Sequence, residues 1–198
     1  MLRKLCLVLS LSWIALTPGH AQVVTVTPST QTVSVGDPFT VNLQISGLGA
    51  GTAPSVGVYD IDLGFDPNLV SFSSVAFGSG LDVLGLGSVQ LTTVGPGVIN
   101  LFELSLDTAN DLNALQAGAF TLASISFSAW NPGTSLFSLS LNSLGDADGA
   151  ALSASLQGSS VTAIASSVPE PESWAMVVIA LCTFGIALRR SKRNNFGA

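Results

Sequence analysis

The chain has 198 residues, of which 47% are hydrophobic and only 9% charged: six Lys or Arg, twelve Asp or Glu, and a single His. All six cations sit near the ends (Arg3, Lys4, Arg189, Arg190, Lys192, Arg193), and His20, Cys6 and Cys182 lie in or beside terminal apolar stretches. The long acidic centre therefore has no cysteine or Ser–His nucleophile, no usual zinc ligand set and no cationic groove, which excludes nucleic acid as a partner and leaves a domain held by its core and poorly equipped for catalysis.

Met1 to Ala21 reads as a secretory signal peptide. Arg3 and Lys4 precede the apolar run Leu5 to Leu16, and Thr17-Pro18-Gly19-His20-Ala21 then breaks the helix and offers small residues for cleavage before Gln22. The only His and one of the two cysteines would leave with it.

From Val23 onward the apolar residues alternate with period two, the signal of half-buried strands. Short strands are expected at Val23–Thr27 and Thr32–Val35, then after the Gly36-Asp37-Pro38 turn at Phe39–Ser46. In Val56–Phe65 the residues Tyr59, Ile61, Leu63 and Phe65 face one way, with Asp60, Asp62 and Gly64 opposite. Further strands are predicted at Leu69–Val75, Ser88–Val94, Val98–Leu106, Phe120–Trp130 and Leu136–Leu144, with a last one within Leu152–Ile164. Thr108–Gln116 alone has helical character, as one or two turns crossing an end of the domain. About nine short strands separated by Gly/Pro turns predict an all-β, two-sheet jelly-roll sandwich over residues 22–165, without a second domain or a fixed-period repeat.

The C-terminal end has a different organisation. A linker over 166–172 carries Pro169-Glu170-Pro171, and a helix over 173–188 carries the apolar run Trp174–Leu188. The basic tail 189–198 begins with Arg189, Arg190, Lys192 and Arg193. The run of fifteen residues reaches roughly 22 Å as a helix, short of a hydrocarbon core of ~30 Å but spannable with snorkelling and thinning. The four cations fit a stop-transfer with the tail in the cytoplasm.

Two resemblances follow from these residues. Val168-Pro169-Glu170-Pro171, the short apolar helix and the Arg-rich end resemble, in order and spacing, the PEP-CTERM sorting signal of exopolysaccharide-associated Gram-negative bacteria. That resemblance implies recognition by a membrane transpeptidase-like exosortase, with processing near the motif. Two prolines around Glu170 keep the segment extended, as an enzyme groove would need. In the centre, Val35 to Val41, the stretch Gly57 to Val70, Ala119 to Phe127 and Leu144 to Gly149 resemble the cohesin domain in their order. The cohesin resemblance implies a nine-stranded jelly roll and a non-catalytic binding module, although no set of positions clearly reproduces that family's dockerin-binding face.

Three candidate sites stand out. Asp60 and Asp62, with Asp66 following, are paired carboxylates without the context that would raise the pKa of one of them, so they read as solvent-facing rather than catalytic. Asp146-Ala147-Asp148-Gly149 supplies the start of a turn whose oxygens suit Ca²⁺ weakly, but it lacks the third Asp/Asn and the distant Glu of an EF-hand; no other cofactor is expected. Trp130, just before Asn131-Pro132-Gly133, is the aromatic placed for a ligand contact such as sugar stacking, although aromatics more often serve packing. The sequence thus predicts an exported, non-enzymatic protein, membrane-held with its domain on the periplasmic side and then delivered to the cell surface or matrix. Its domain would bind an unknown protein or, alternatively, an exopolysaccharide; a glycoside hydrolase accessory domain is a distant third reading.

Overall fold

Alternating side chains put every second residue on one face of an extended chain. In the computed structural model, which describes residues 22–166, this pattern yields eleven strands and one short helix. In chain order these are β1 (Gln22–Pro28), β2 (Thr32–Ser34), β3 (Pro38–Ser46), β4 (Val56–Gly64), β5 (Val70–Phe77), β6 (Ser88–Gly95) and β7 (Val98–Ser105). They are followed by α1 (Ala109–Leu115), β8 (Ala119–Ala129), β9 (Gly133–Asp146), β10 (Ala154–Gln157) and β11 (Ser159–Ile164). Five strands form one sheet in the order β10-β1-β3-β8-β5, and six form the other in the order β2-β11-β9-β4-β7-β6.

The strand expected within Leu152–Ile164 is in fact two, β10 and β11, and both ends of the domain change sheets. β1 pairs antiparallel with β3, but after Pro28 the chain crosses and β2 pairs with β11 in the opposite sheet. Likewise β10 pairs with β1, whereas β11, one residue later, pairs with β9. The crossing residue is Gly158, where an added Cβ would lie 2.5 Å from the Phe137 carbonyl oxygen, so only glycine passes that close to the neighbouring backbone. A period-2 pattern cannot reveal which sheet a strand joins, so the changes of sheet are not readable from alternation.

The inner faces meet in one core. Phe127 is fully buried, and its ring packs against those of Phe39, Phe65, Phe72 and Phe137 at centroid distances of 5.2–6.2 Å. Burying a side chain of this size stabilises the fold by about 1.5–3 kcal/mol. The β6–β7 hairpin turns on Pro96-Gly97, with Gly95 paired to Val98 and Gly97 at φ +76°, as a tight turn with proline first and glycine second requires. The helix is capped by Thr108, whose Oγ1 accepts the Asp111 N–H. Its far end is tied to β4 by Gln116: the side chain accepts the Val56 N–H at 2.6 Å and donates to the Val56 carbonyl at 2.9 Å, replacing a missing strand neighbour.

The signal segment Met1–Ala21, the Pro169-Glu170-Pro171 motif, the apolar run Trp174–Leu188 and the cations Arg189, Arg190, Lys192 and Arg193 lie outside the described residues. Within the described residues, no helix is long and apolar enough to cross a membrane.

Candidate functional site

The outer face of the six-stranded sheet brings together residues far apart in the chain. On β4 the outward register is Val58, Asp60 and Asp62; across β7 it continues as Leu104, Phe102 and Asn100, and across β6 as Val89, Leu91 and Thr93. Asp60 and Asp62 are half-buried. The Asn100 Nδ2 group donates to Asp60 Oδ1 and, at 2.8 Å, to Asp62 Oδ1, so one amide holds both carboxylates in place. A register shift between Asp60 and Ile61 leaves Asn142 of β9 as an extra residue, and its Nδ2 donates to Asp60 Oδ1 at 3.1 Å. Bulges re-aim side chains in this way.

Beside these carboxylates lies an uncovered apolar strip. Val89, Leu91 and Leu104 are exposed, Leu91 by 58%. The strip occupies β6, the edge strand of the sheet, and its neighbour β7. Carboxylates held rigid by amides, next to exposed aliphatic side chains on a sheet face, can grip a partner that brings cations and apolar groups together. Among the described residues there is no Lys, Arg or His to neutralise them internally.

Directly beneath the face sits a buried polar group. Glu103 follows Ile99 and Leu101 on the inward register of β7 and is 0% exposed. Its Oε1 accepts from Ser88 Oγ at 2.6 Å and Gln90 Nε2 at 3.0 Å, and its Oε2 accepts from Tyr59 Oη at 3.0 Å. Ser88 and Gln90 belong to β6, so the carboxylate fastens the edge strand to β7 and β4. The Tyr59 phenol is pushed far above its usual range, chiefly by burial, then by the charge of Glu103 and by its hydrogen bond to that carboxylate.

The other sequence-predicted residues are not part of this cluster. Asp66 caps its own turn, its Oδ1 accepting the Asn68 N–H at 2.9 Å and the Asn68 side-chain amide at 3.0 Å. Asp146 Oδ1 accepts the N–H groups of Asp148 at 3.0 Å and Ala150 at 2.7 Å, so that oxygen serves the turn. Trp130 is 60% exposed, against the usual burial of aromatics, with its indole N–H donating to the Asn68 carbonyl at 3.1 Å. Among the described residues, no three His, Cys, Asp or Glu side chains converge as metal ligands. Glu103, Asn100 and Asn142 were missed in sequence. The parity of Ile99, Leu101 and Glu103 was a readable signal for the first, but the bulge that aims Asn142 leaves none.

This two-sheet domain superposes on solved structures of one kind. The cohesin of a type I cohesin–dockerin complex from Clostridium thermocellum superposes with a TM-score of 0.59 at 15% identity, covering 73% of this chain and 99% of that one. The domain has the cohesin fold. A non-cellulosomal cohesin from the archaeon Archaeoglobus fulgidus aligns with a TM-score of 0.56 at 16% identity over 79% of this chain and 97% of its own. A cohesin module from a family 33 glycoside hydrolase of Clostridium perfringens aligns with a TM-score of 0.56 at 16% identity, covering 74% of this chain and all of the module. No family model matches the chain, and no curated protein matches it.

Proposed function

We propose that this is an exported, non-catalytic envelope or extracellular-matrix protein whose cohesin-fold domain binds a protein partner through the outer face of the six-stranded sheet. The observation that carries this reading is the pair Asp60 and Asp62, fixed by Asn100 and Asn142, beside exposed Val89, Leu91 and Leu104. Matching solved cohesins, one of them in a complex with a dockerin, support protein binding as the use of such a module. The complementary partner presents Lys or Arg for the carboxylates and aliphatic side chains for the strip, with the desolvated centre supplying most of the affinity. Export rests on the signal segment and on the Pro169-Glu170-Pro171 motif with its apolar run and cations, which an exosortase would read before delivery to the surface.

A second reading, an exopolysaccharide-binding module, is favoured by one observation: Trp130 is exposed, and its indole N–H is held by a backbone carbonyl, as a stacking platform would be. Capture from the producing cell's own surface material separates the two. Saturable protein binding that is indifferent to Trp130→Ala and lost on Asp60→Asn/Asp62→Asn supports the protein-binding reading. Polysaccharide binding lost on Trp130→Ala supports the other, and glycan hydrolysis abolished at Asp60 or Asp62 overturns both. For sorting, Glu170→Ala keeps both prolines; accumulation of unprocessed precursor in the inner membrane is the expected outcome, and wild-type processing would make the motif a spacer.

A further inference from the structure

Asp107 lies between β7 and α1 and is only 9% exposed. Its Oδ2 accepts the Val83 N–H at 2.7 Å and the Leu84 N–H at 3.4 Å, and its own N–H donates to Ser105 Oγ at 3.1 Å. Its Oδ1 is fully buried and has no hydrogen-bond donor. A buried carboxylate oxygen without a partner is costly, and native structures resolve such atoms with a proton, a water or an ion. The common protein solution is a cationic side chain, yet there is no Lys, Arg or His anywhere in residues 22–166.

The surroundings suit a hard cation. The segment Gly78–Gly87 lies against Asp107 through the N–H groups of Val83 and Leu84, is held down by fully buried Leu81, and is rich in glycine. It carries a second carboxylate, Asp82, of which only Oδ1 is engaged, accepting the Gly87 N–H at 2.8 Å. An open groove of about 650 Å³, bordered by Ser79, Gly80, Asp82 and Val83, brings solvent to this segment.

We propose that Asp107 Oδ1 is a ligand of a weak Ca²⁺ site that fastens the Gly78–Gly87 segment to the entry of α1. Ca²⁺ accepts six to eight oxygens from carboxylates, backbone carbonyls and water, and its affinity falls as the carboxylate count falls. With at most Asp107 and Asp82 contributing, the dissociation constant belongs in the range of about 10⁻⁴–10⁻³ M found in extracellular modules. This places the site away from the Asp146 turn, where Oδ1 is already committed to backbone donors.

The test is thermal unfolding of the full chain in EDTA, in 10 mM CaCl₂ and in NaCl of equal ionic strength. Ligand linkage at roughly ten times the dissociation constant predicts a midpoint rise of about 3 °C with Ca²⁺ alone. Asp107→Asn should abolish the rise and Asp146→Asn should keep it. Should Asp107→Asn fail to fold, the wild type decides: one Ca²⁺ bound per chain by equilibrium dialysis, with slowed amide exchange at Val83 and Leu84, supports the site. No Ca²⁺-specific rise, a rise that survives Asp107→Asn, or protection confined to Asp146–Ala150 overturns it, the first result leaving Asp107 served by water or a proton.

Discussion

The two outer faces of the sandwich have opposite surface chemistry. On the six-stranded sheet, Asp60, Asp62, Asn100 and Asn142 border the exposed aliphatic side chains of β6 and β7. On the five-stranded sheet the outward residues are Thr25 and Thr27 of β1, Thr40, Asn42 and Gln44 of β3, and Ser124, Ser126 and Ser128 of β8, followed by Ser71 and Ser74 of β5. That face carries no carboxylate, and the exposed large hydrophobic side chains of the described residues are not among these positions. Hydroxyls and amides stay solvated by water at little cost, so such a face does not drive association by itself. Exposed Leu and Val next to fixed charges do, because covering them releases apolar surface while the charges select the partner. One fold thus separates a solvated face from an adhesive one.

The largest expected effect breaks that separation by charge. Asp60→Lys/Asp62→Lys should weaken partner binding at least about 30-fold, the scale of a lost hot spot, while Ser124→Lys/Ser126→Lys on the opposite face should leave affinity within about two-fold. Titration by calorimetry or surface resonance reads both. Next comes the support beneath the adhesive face. Glu103→Ala removes the acceptor for Tyr59, Ser88 and Gln90, and urea unfolding should give a loss of about 2 kcal/mol, with Glu103→Gln costing less. Faster amide exchange along β6 than along β5 would locate the damage.

A pH experiment sharpens the same point. Tyr59 is the only tyrosine of the chain, and its folded pKa is raised. The stabilisation from keeping the phenol protonated is complete below the unfolded value near 10 and is lost as pH rises above it, because the unfolded chain then releases a proton that the folded chain retains. Stability should fall by about 1.4 kcal/mol per pH unit above pH 10, and Tyr59→Phe should flatten that slope. The smallest effect concerns Trp130, whose exposed ring contributes little packing. Trp130→Ala should change stability by about 0.5 kcal/mol or less and leave protein binding unchanged.

Much of this architecture was legible in the sequence, because alternation reports which residues share a face. The outward placement of Asp60 and Asp62 opposite Tyr59, Ile61 and Leu63 follows from parity alone, and the helix between β7 and β8 from the three-residue spacing of Leu112 and Leu115. What alternation cannot carry is pairing between strands. That Asn100 clamps both aspartates depends on β4 lying beside β7 in one particular register, and that Asn142 reaches Asp60 depends on a bulge. The sheet changes after Pro28 and at Gly158 escaped for the same reason, since a strand that leaves one sheet for the other keeps its period. Trp130 was unreadable for a different reason: the end of β8 fixes its exposure, and the local sequence suits either burial or display.

The central claim is that the partner sits on the six-stranded face, and hydroxyl-radical footprinting of the full chain, with and without the partner captured from the cell surface, tests it most directly. Leu91, Phe102 and Leu104 should lose reactivity on binding while Trp130 keeps its own. Protection of Trp130 with Leu91, Phe102 and Leu104 still reactive would contradict the account and move the binding site to the turn beside Asn68.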